Sequence, residues 1–311
     1  MQKTIALLFG GISSEREVSI ASADSVFAAL DKDKYQIKRY DARDDLKVFI
    51  NDCLEKKIDL VLPIMHGSFG EDGRLQGMLD MLGVPYVFSG CLASALAMNK
   101  RKTKLIAADA GLDTAPDMLL DSREECDVED VENRLGWPVV IKPNEAGSSV
   151  GITVAQDKKE LEKGIEEAFK SGKEIILEKY IKGRELTIPL LGVHDPIALP
   201  AIEIIPNKSS WYDYRSKYEE GGSDHVCPAD ISDDIKTLME DRAKKIFKAL
   251  GCKDLARADF ILNEDDGKLY FLEINTIPGM TKTSLAPESA KVYGLSFSEF
   301  LDKLIESASR S

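Results

Sequence analysis

Apolar residues along the chain come in short continuous runs, separated by stretches in which they recur every three or four positions. Thr4 to Phe9 is one such run, reads as a strand buried on both faces, and ends on Gly10-Gly11. Ser14-x-x-Glu17 matches a capping box, and Val18, Ala21, Val26, Ala29 and Leu30 follow at helical spacing. Tyr35 to Tyr40 predicts a second strand, Leu46 to Lys57 a helix and Ile58 to Met65 a third strand. Leu75 to Leu82 then reads as a helix and Val84 to Phe88 as a short strand. Such alternation predicts a parallel α/β layer with its loops gathered at the strand C-termini.

Cys91 to Gly111 reads as one long helix stopped by a glycine, and a second domain begins there. Glu124 to Leu135 and Leu161 to Phe169 follow as helices, with strands at Trp137 to Lys142, Gly151 to Ala155 and Glu174 to Tyr180. Beyond Gly183 the pattern predicts antiparallel strands, Leu186 to Val193 and Ile197 to Ile205, turning at His194-Asp195-Pro196. A helix at Ile235 to Leu250 precedes a hairpin of Ala256 to Leu262 and Leu269 to Ile274 around Asp265-Asp266-Gly267, and a helix at Phe297 to Ser307 closes the chain. Pro206 to Asp230 has no clean period and carries Trp211, Tyr212, Tyr214 and Tyr218. Structureless loops longer than about 12–15 residues are often functional lids.

Composition narrows the classes. At roughly 150 residues per domain, 311 residues suggest two domains or three. The net charge of −13 argues against duplex nucleic acid, whose binding needs Lys and Arg on phosphates, and leaves a small phosphorylated ligand open. Cys53, Cys91, Cys126, Cys227 and Cys252 are scattered without a C-x-x-C pair, so neither a disulfide framework nor a thiolate zinc site is expected. The apolar run Ile5 to Phe9 is too short for a signal-peptide core, and no apolar stretch approaches the about 18 residues of a membrane span. A cytoplasmic protein is expected, with no nucleic-acid or membrane partner.

Three places carry chemistry. Lys142-Pro143-Asn144-Glu145-Ala146-Gly147-Ser148-Ser149-Val150-Gly151 follows a strand, and its small residues let backbone N–H groups approach phosphate oxygens beside a lysine. A Gly-Ser turn that binds nothing has the same appearance. Downstream, Arg257 and Asp259 share one face of a strand, and Glu273 and Asn275 share a face of the next. Converging oxygens there suit Mg²⁺, which takes a few protein ligands and nucleotide phosphates, although acidic hairpin faces are often merely solvated. The third place comprises the loops with Ser14-Glu15-Arg16-Glu17 and His66-Gly67-Ser68-Phe69-Gly70-Glu71-Asp72-Gly73. Helix capping accounts for Glu15 and Glu17 without function, whereas His66 at a strand end is harder to dismiss. His194 and His225 read as solvent-facing.

Taken in order, His66-Gly-Ser-Phe-Gly-Glu-Asp-Gly73, Lys142-Pro with Gly147-Ser-Ser-Val-Gly151, Tyr212-Asp-Tyr-Arg-Ser-Lys-Tyr218, Cys227-Pro-Ala229, Arg257-Ala-Asp259 and Glu273-Ile-Asn-Thr-Ile-Pro-Gly-Met-Thr281 resemble the D-alanine–D-alanine ligases. These are ATP-grasp enzymes, and the likeness runs from Ile5 to the last helix. It implies an α/β ATP-grasp fold divided into an N-terminal domain (1–95), a central domain (96–182) and a C-terminal domain (183–311). The implied reaction joins two D-alanines through an acyl phosphate, consuming ATP, for peptidoglycan synthesis. The nearest alternative is a relative taking D-lactate or D-serine as second substrate.

Residue by residue, the resemblance implies that Asp259, Glu273 and Asn275 hold two Mg²⁺ (or Mn²⁺) ions. Lys100 and Lys142 would contact the ATP phosphates, with Ser148 and Ser149 closing over them. Glu178, Lys179 and the Ile181 backbone would meet adenine, Glu185 the ribose, and Lys217 and Leu272 the nucleotide as well. Glu15 would bind the first D-alanine's ammonium with His66 beside it, Arg257 and the Gly279 N–H would form an oxyanion hole, and Lys217 and Ser284 would hold the second carboxylate. Tyr218, Ser148 and Glu15 would be hydrogen-bonded across domains. A homodimer is implied. Asn99 stands where Asp is common in the family, and Ala146 where an acidic residue is common.

Overall fold

The computed structural model describes residues 2–123, 126–147, 151–207 and 222–309. Its first sheet has three parallel strands, with β1 (Lys3–Phe9) between β2 (Tyr35–Asp41) and β3 (Leu60–Ile64). Ile5 to Leu8 are fully buried, as a two-faced strand requires. Around this sheet run α1 (Arg16–Ala29), α2 (Leu46–Leu54) and α3 (Arg74–Leu82).

Two expectations fail in this region. No capping box starts α1: Glu15 occupies the N-cap position and, among the described residues, no side chain caps the helix. Ser13 supplies the local turn instead, its hydroxyl accepting the Glu15 N–H and donating to the His66 carbonyl. Val84 to Phe88 forms no full strand. It makes one parallel bridge, Val61 to Tyr86, before Phe88 turns to a φ of 76° and leaves the extended region.

The expected helix from 91 to 111 is two helices, α4 (Cys91–Met98) and α5 (Lys100–Asp109). Asn99 between them has extended backbone, and its side chain accepts the Lys102 N–H to cap α5. Asparagine competes well for a cap and poorly for a helix interior, which favours the break.

A four-stranded sheet follows, in the order β5 (Asp117–Leu120), β8 (Ile175–Lys179), β6 (Val139–Pro143), β7 (Thr153–Ala155), covered by α6 (Val128–Leu135) and α7 (Lys158–Ser171). Asp127 caps α6, so that helix begins later than the periodicity suggests. The largest sheet runs β12 (Ser223–Val226), β11 (Ile202–Pro206), β9 (Gly183–Gly192), β13 (Asp254–Asn263), β14 (Leu269–Asn275), β4 (Asp113–Thr114), with β10 (Ile197–Ala198) also on β9. The single strand expected over 197–205 is therefore β10 and β11. Within the aperiodic stretch 206–230, β12 pairs with β11. Residues 208–221 of that stretch lie outside those described.

Helices α8 (Asp233–Leu250), α9 (Leu285–Val292) and α10 (Phe297–Ala308) complete the described elements. Neither β4, β5 nor α9 has a pattern long enough to stand out in the sequence. Phe300, Leu301, Leu304 and Ile305 of α10 pack with Ile5, Leu7, Leu60 and Leu62, so the last helix shares the core of the first sheet. Burying each such side chain stabilises by about 1.5–3 kcal/mol. This joint core fixes the loops at the end of β1 and β3 against the segment that follows β14.

Candidate active site

The loops leaving β1 and β3 meet the end of β14 around a cavity of about 430 Å³. Its wall includes Glu15 and His66 from the first sheet, Lys100 from α5, Arg257 from β13, Glu273 and Asn275 from β14, and Gly279 and Ser284 beyond it. Eight residues singled out from the sequence are thus gathered at one place. Crevices at strand C-termini are the usual ligand sites of α/β sheets.

The pairing of β13 with β14 sets the polar floor. Arg257 lies opposite Asn275 and Asp259 opposite Glu273, while Phe260 lies opposite Phe271. Leu272 is the extra residue of a bulge between these pairs. Without it, Asp259 would oppose Leu272; the bulge re-aims Glu273 and Asn275 toward Arg257 and Asp259. Asp259, just behind the cavity wall and almost fully buried, accepts from Arg257 at 2.7 and 2.9 Å, from Thr187 at 2.5 Å and from Asn275 Nδ2 at 3.0 Å. Lys100 Nζ donates to the Ala146 carbonyl at 2.7 Å and stands 3.5 Å from Glu273.

At the opposite wall, Glu71 was not singled out by sequence reasoning, although it lies inside the quoted His66–Gly73 motif. It lines the cavity, and its oxygens accept the Gly67 N–H at 2.7 Å and the Ile277 N–H at 3.2 Å. Solvent reaches it from the cavity, yet protein packs closely enough that desolvation, followed by the neighbouring Glu15 carboxylate, pushes its carboxyl up to about 8. His66 is buried with both ring nitrogens engaged, and burial brings it down to about 4. It is a neutral imidazole at pH 7. Gly147 brings the loop after β6 to this wall: a Cβ there would stand 2.7 Å from Glu15 Oε2.

A second polar cluster lies on the four-stranded sheet. Glu178 accepts from Lys142 at 2.7 Å and from Lys104 at 2.9 Å, and Lys104 also reaches Asp117 at 3.1 Å. Burial raises the Glu178 carboxyl, but the two lysines more than offset it and hold it at about 2. Lys104 is a further residue that sequence reasoning passed over; as the fourth residue after Lys100 on α5 it shares that helix face. Lys179 is exposed at the end of β8, and Ile181, Glu185 and Leu272 are half-buried outside the cavity wall. Ser148, Ser149, Lys217 and Tyr218 lie outside the described residues. His225, expected to face solvent, is instead half-buried in β12 with Nδ1 2.9 Å from Glu288.

Two family models cover nearly all of the chain, "D-ala D-ala ligase N-terminus" at residues 4–51 and 38–91 and "D-ala D-ala ligase C-terminus" at residues 106–306. The chain belongs to the D-alanine–D-alanine ligase family. A D-alanine–D-alanine ligase of Syntrophobacter fumaroxidans is 46% identical over 306 residues, covering 98% of this chain and 97% of the relative. The crystal structure of the Bacillus anthracis D-alanine–D-alanine ligase complexed with ATP is 33% identical and superposes with a TM-score of 0.86, over 99% of this chain and 98% of that one. The VanG D-Ala:D-Ser ligase of Enterococcus faecalis superposes at 0.84 with 34% identity, over 99% and 100%. The α/β architecture is the ATP-grasp fold, and the chain is a ligase of that class. Among the described residues no helix of this ligase-family chain is long and apolar enough to cross a membrane.

Proposed function

We propose that the chain joins two D-alanines to D-alanyl-D-alanine with ATP as co-substrate, supplying peptidoglycan precursor synthesis. The observation that carries this reading is the convergence on one cavity of Glu15, Arg257, Gly279 and Ser284 with Lys100, Glu273 and Asn275. In the first step a carboxylate oxygen of one D-alanine bonds to the γ-phosphorus while its bond to the β,γ-bridging oxygen breaks, releasing ADP. In the second, the amine of the other D-alanine bonds to the acyl carbon, the carbon–oxygen bond to phosphate breaks, and the amine loses a proton. Phosphoryl transfer asks mainly for positioning and charge neutralisation.

Glu15 takes the first ammonium. The Arg257 guanidinium and Gly279 N–H face the oxyanion of the tetrahedral intermediate. Ser284 and Lys217 receive the second carboxylate, while Tyr218 and Ser148 join Glu15 in linking the 206–230 lid to the site. Lys100, Lys142, Ser148, Ser149 and Lys217 serve the phosphates. Glu178, Lys179, Ile181, Glu185 and Leu272 serve the nucleoside.

The donors at the floor fit a hard divalent cation. Glu273 and Asn275 offer hard oxygens at the cavity wall, Asp259 behind them would join by giving up one of its four hydrogen bonds, and among the described residues the Thr276 hydroxyl is buried without a hydrogen-bond partner. Among the described residues no three His, Cys, Asp or Glu side chains form a cage, which suits ions that take the rest of their oxygens from the nucleotide. Bound there, Mg²⁺ or Mn²⁺ would neutralise charge developing on the phosphates. The reading includes a cytoplasmic location, a homodimer and the three domains 1–95, 96–182 and 183–311.

Phosphate release from ATP and Mg²⁺, with products weighed by mass spectrometry, tests it. D-alanine-dependent phosphate with the dipeptide mass is expected, and Glu273→Gln should lose at least about a hundredfold in turnover with an unchanged circular-dichroism spectrum. A mixed product predominating when D-serine or D-lactate is added would move the second substrate. No phosphate with D-alanine would end the proposal.

A further inference from the structure

The segment from Ile277 to Met280 carries Gly279, yet side chains from the first sheet and its helix hold it in place. His66 Nδ1 lies 3.1 Å from the Ile277 carbonyl oxygen. A carbonyl can only accept, so Nδ1 carries the ring proton and Nε2 is an acceptor. Ser22 Oγ, 3.1 Å from Nε2, donates there, and its oxygen faces the Met280 N–H at 3.4 Å. Glu71 takes the Ile277 N–H with one oxygen and the Gly67 N–H with the other. Pro278 has no N–H. Of the three N–H groups between Ile277 and Met280, the first is claimed by Glu71 and the last by Ser22. Among the described residues that leaves the N–H of Gly279, a residue of the cavity wall, for a ligand.

We propose that Ser22, His66 and Glu71 form a clasp that sets the direction of the Gly279 N–H, and are positioning residues for the ligation step. The proposal rests on the reading that this N–H faces the oxyanion. Each member suits that task. Ser22 is fully buried in α1 and absent from the cavity wall, so it does not touch substrate. His66 has committed both nitrogens and stays neutral, which keeps its Nδ1–H donor and Nε2 acceptor fixed. Glu71 ties the His66 loop and the Gly279 segment to the same carboxylate. An oxyanion donor is worth about 10²–10³ in turnover when removed outright, so loosening its support should cost part of that.

Ser22→Ala is the decisive variant because it acts only through its neighbours. Turnover is expected to fall about tenfold with the KM for ATP within twofold of wild type. His66→Asn keeps an N–H near the Nδ1 position and should retain more turnover than His66→Gln, whose amide is displaced toward Nε2. Should Ser22→Ala not fold, that histidine pair carries the test alone. Ser22→Ala within twofold of wild-type turnover, or Gln outperforming Asn at position 66, would overturn the clasp while the ligase reading stands. A fall in turnover accompanied by an equal rise in the KM for ATP would mean general loosening and also overturn it. Wild-type protein that makes no dipeptide would sink the reading and the clasp together.

Discussion

Glu71 and Glu178 are both drawn away from bulk water, with opposite outcomes. Glu71, at the cavity wall, meets another carboxylate, Glu15, and is held up at about 8. Glu178, on the four-stranded sheet, meets Lys142 and Lys104 and is held down at about 2 despite being almost fully buried. Burial raises both. The sign of the neighbour decides the result. Glu71 thus crowds Glu15, the group proposed to take an ammonium, whereas Glu178 neutralises Lys142, a proposed contact of the ATP phosphates, so nucleotide binding there would redistribute an ion pair that already stabilises the protein. A cluster can hold the fold and still face a ligand, so the charge of the partner separates these two regions and residue type does not.

Breaking the neutralised region should have the largest effect. Lys104→Met removes one of two lysines from Glu178 and leaves buried Asp117 poorer by an ion pair. Loss of one partner from a buried pair costs about 3–5 kcal/mol, to be read by urea unfolding. A loss below about 1 kcal/mol would show that Lys142 alone suffices for Glu178. Glu71→Gln relieves the crowding but leaves either the Gly67 or the Ile277 N–H facing an amide NH₂, so it should cost about 1–3 kcal/mol, less than Lys104→Met.

Next comes Arg257→Ala in the crowded region. Turnover should fall about 10²–10³-fold if, as proposed, the guanidinium faces developing negative charge. ATP affinity should change less. A pure nucleotide-binding defect would remove Arg257 from the oxyanion role and leave it as the buried partner of Asp259.

The two glutamates also predict opposite pH signatures. Glu178 has a lowered folded pKa, so its contribution is present above the ordinary glutamate value of about 4.5 and is lost as pH falls toward about 2. Glu71 has a raised one. Between about 4.5 and 8 the folded state binds more protons there than the unfolded chain, so stability falls as pH rises through that window. The slope from one such group is at most about 1.4 kcal/mol per pH unit. Urea midpoints of wild type and Glu71→Gln from pH 5 to 8.5 check this. Parallel curves would mean that Glu71 keeps an ordinary carboxyl.

Much of the site could be read from residue order. Alternation along two strands placed Arg257 with Asp259 and Glu273 with Asn275, because period-two geometry is local. The bulge at Leu272, which brings these pairs into register, leaves no such mark, since one extra residue in an apolar strand looks like any other. Glu71 and Lys104 were equally hidden. Each is an ordinary charged residue on a loop or a helix until partners 206 and 74 positions away close on it. The break at Asn99 is intermediate: asparagine is a recognisable cap, but nothing in the flanking apolar spacing distinguishes two helices from one.

That break gives the smallest effect and the one that touches both regions. On α5, Lys100 reaches toward Glu273 and Lys104 toward Glu178, so a single helix carries a cation to each. Asn99 fixes its start, accepting the Lys102 N–H at 3.0 Å and donating to Glu145 at 2.6 Å. Asn99→Ala should cost about 1 kcal/mol in urea unfolding. Asn99→Asp keeps the cap and favours the helix dipole, but exchanges the Glu145 hydrogen bond for repulsion, so it should fall between wild type and Ala. Because the helix serves both regions, the KM for ATP should rise with the stability loss across this pair. A stability loss without any change in KM would mean that Lys100 is positioned by its bond to Ala146 alone, and that the two regions are mechanically separate.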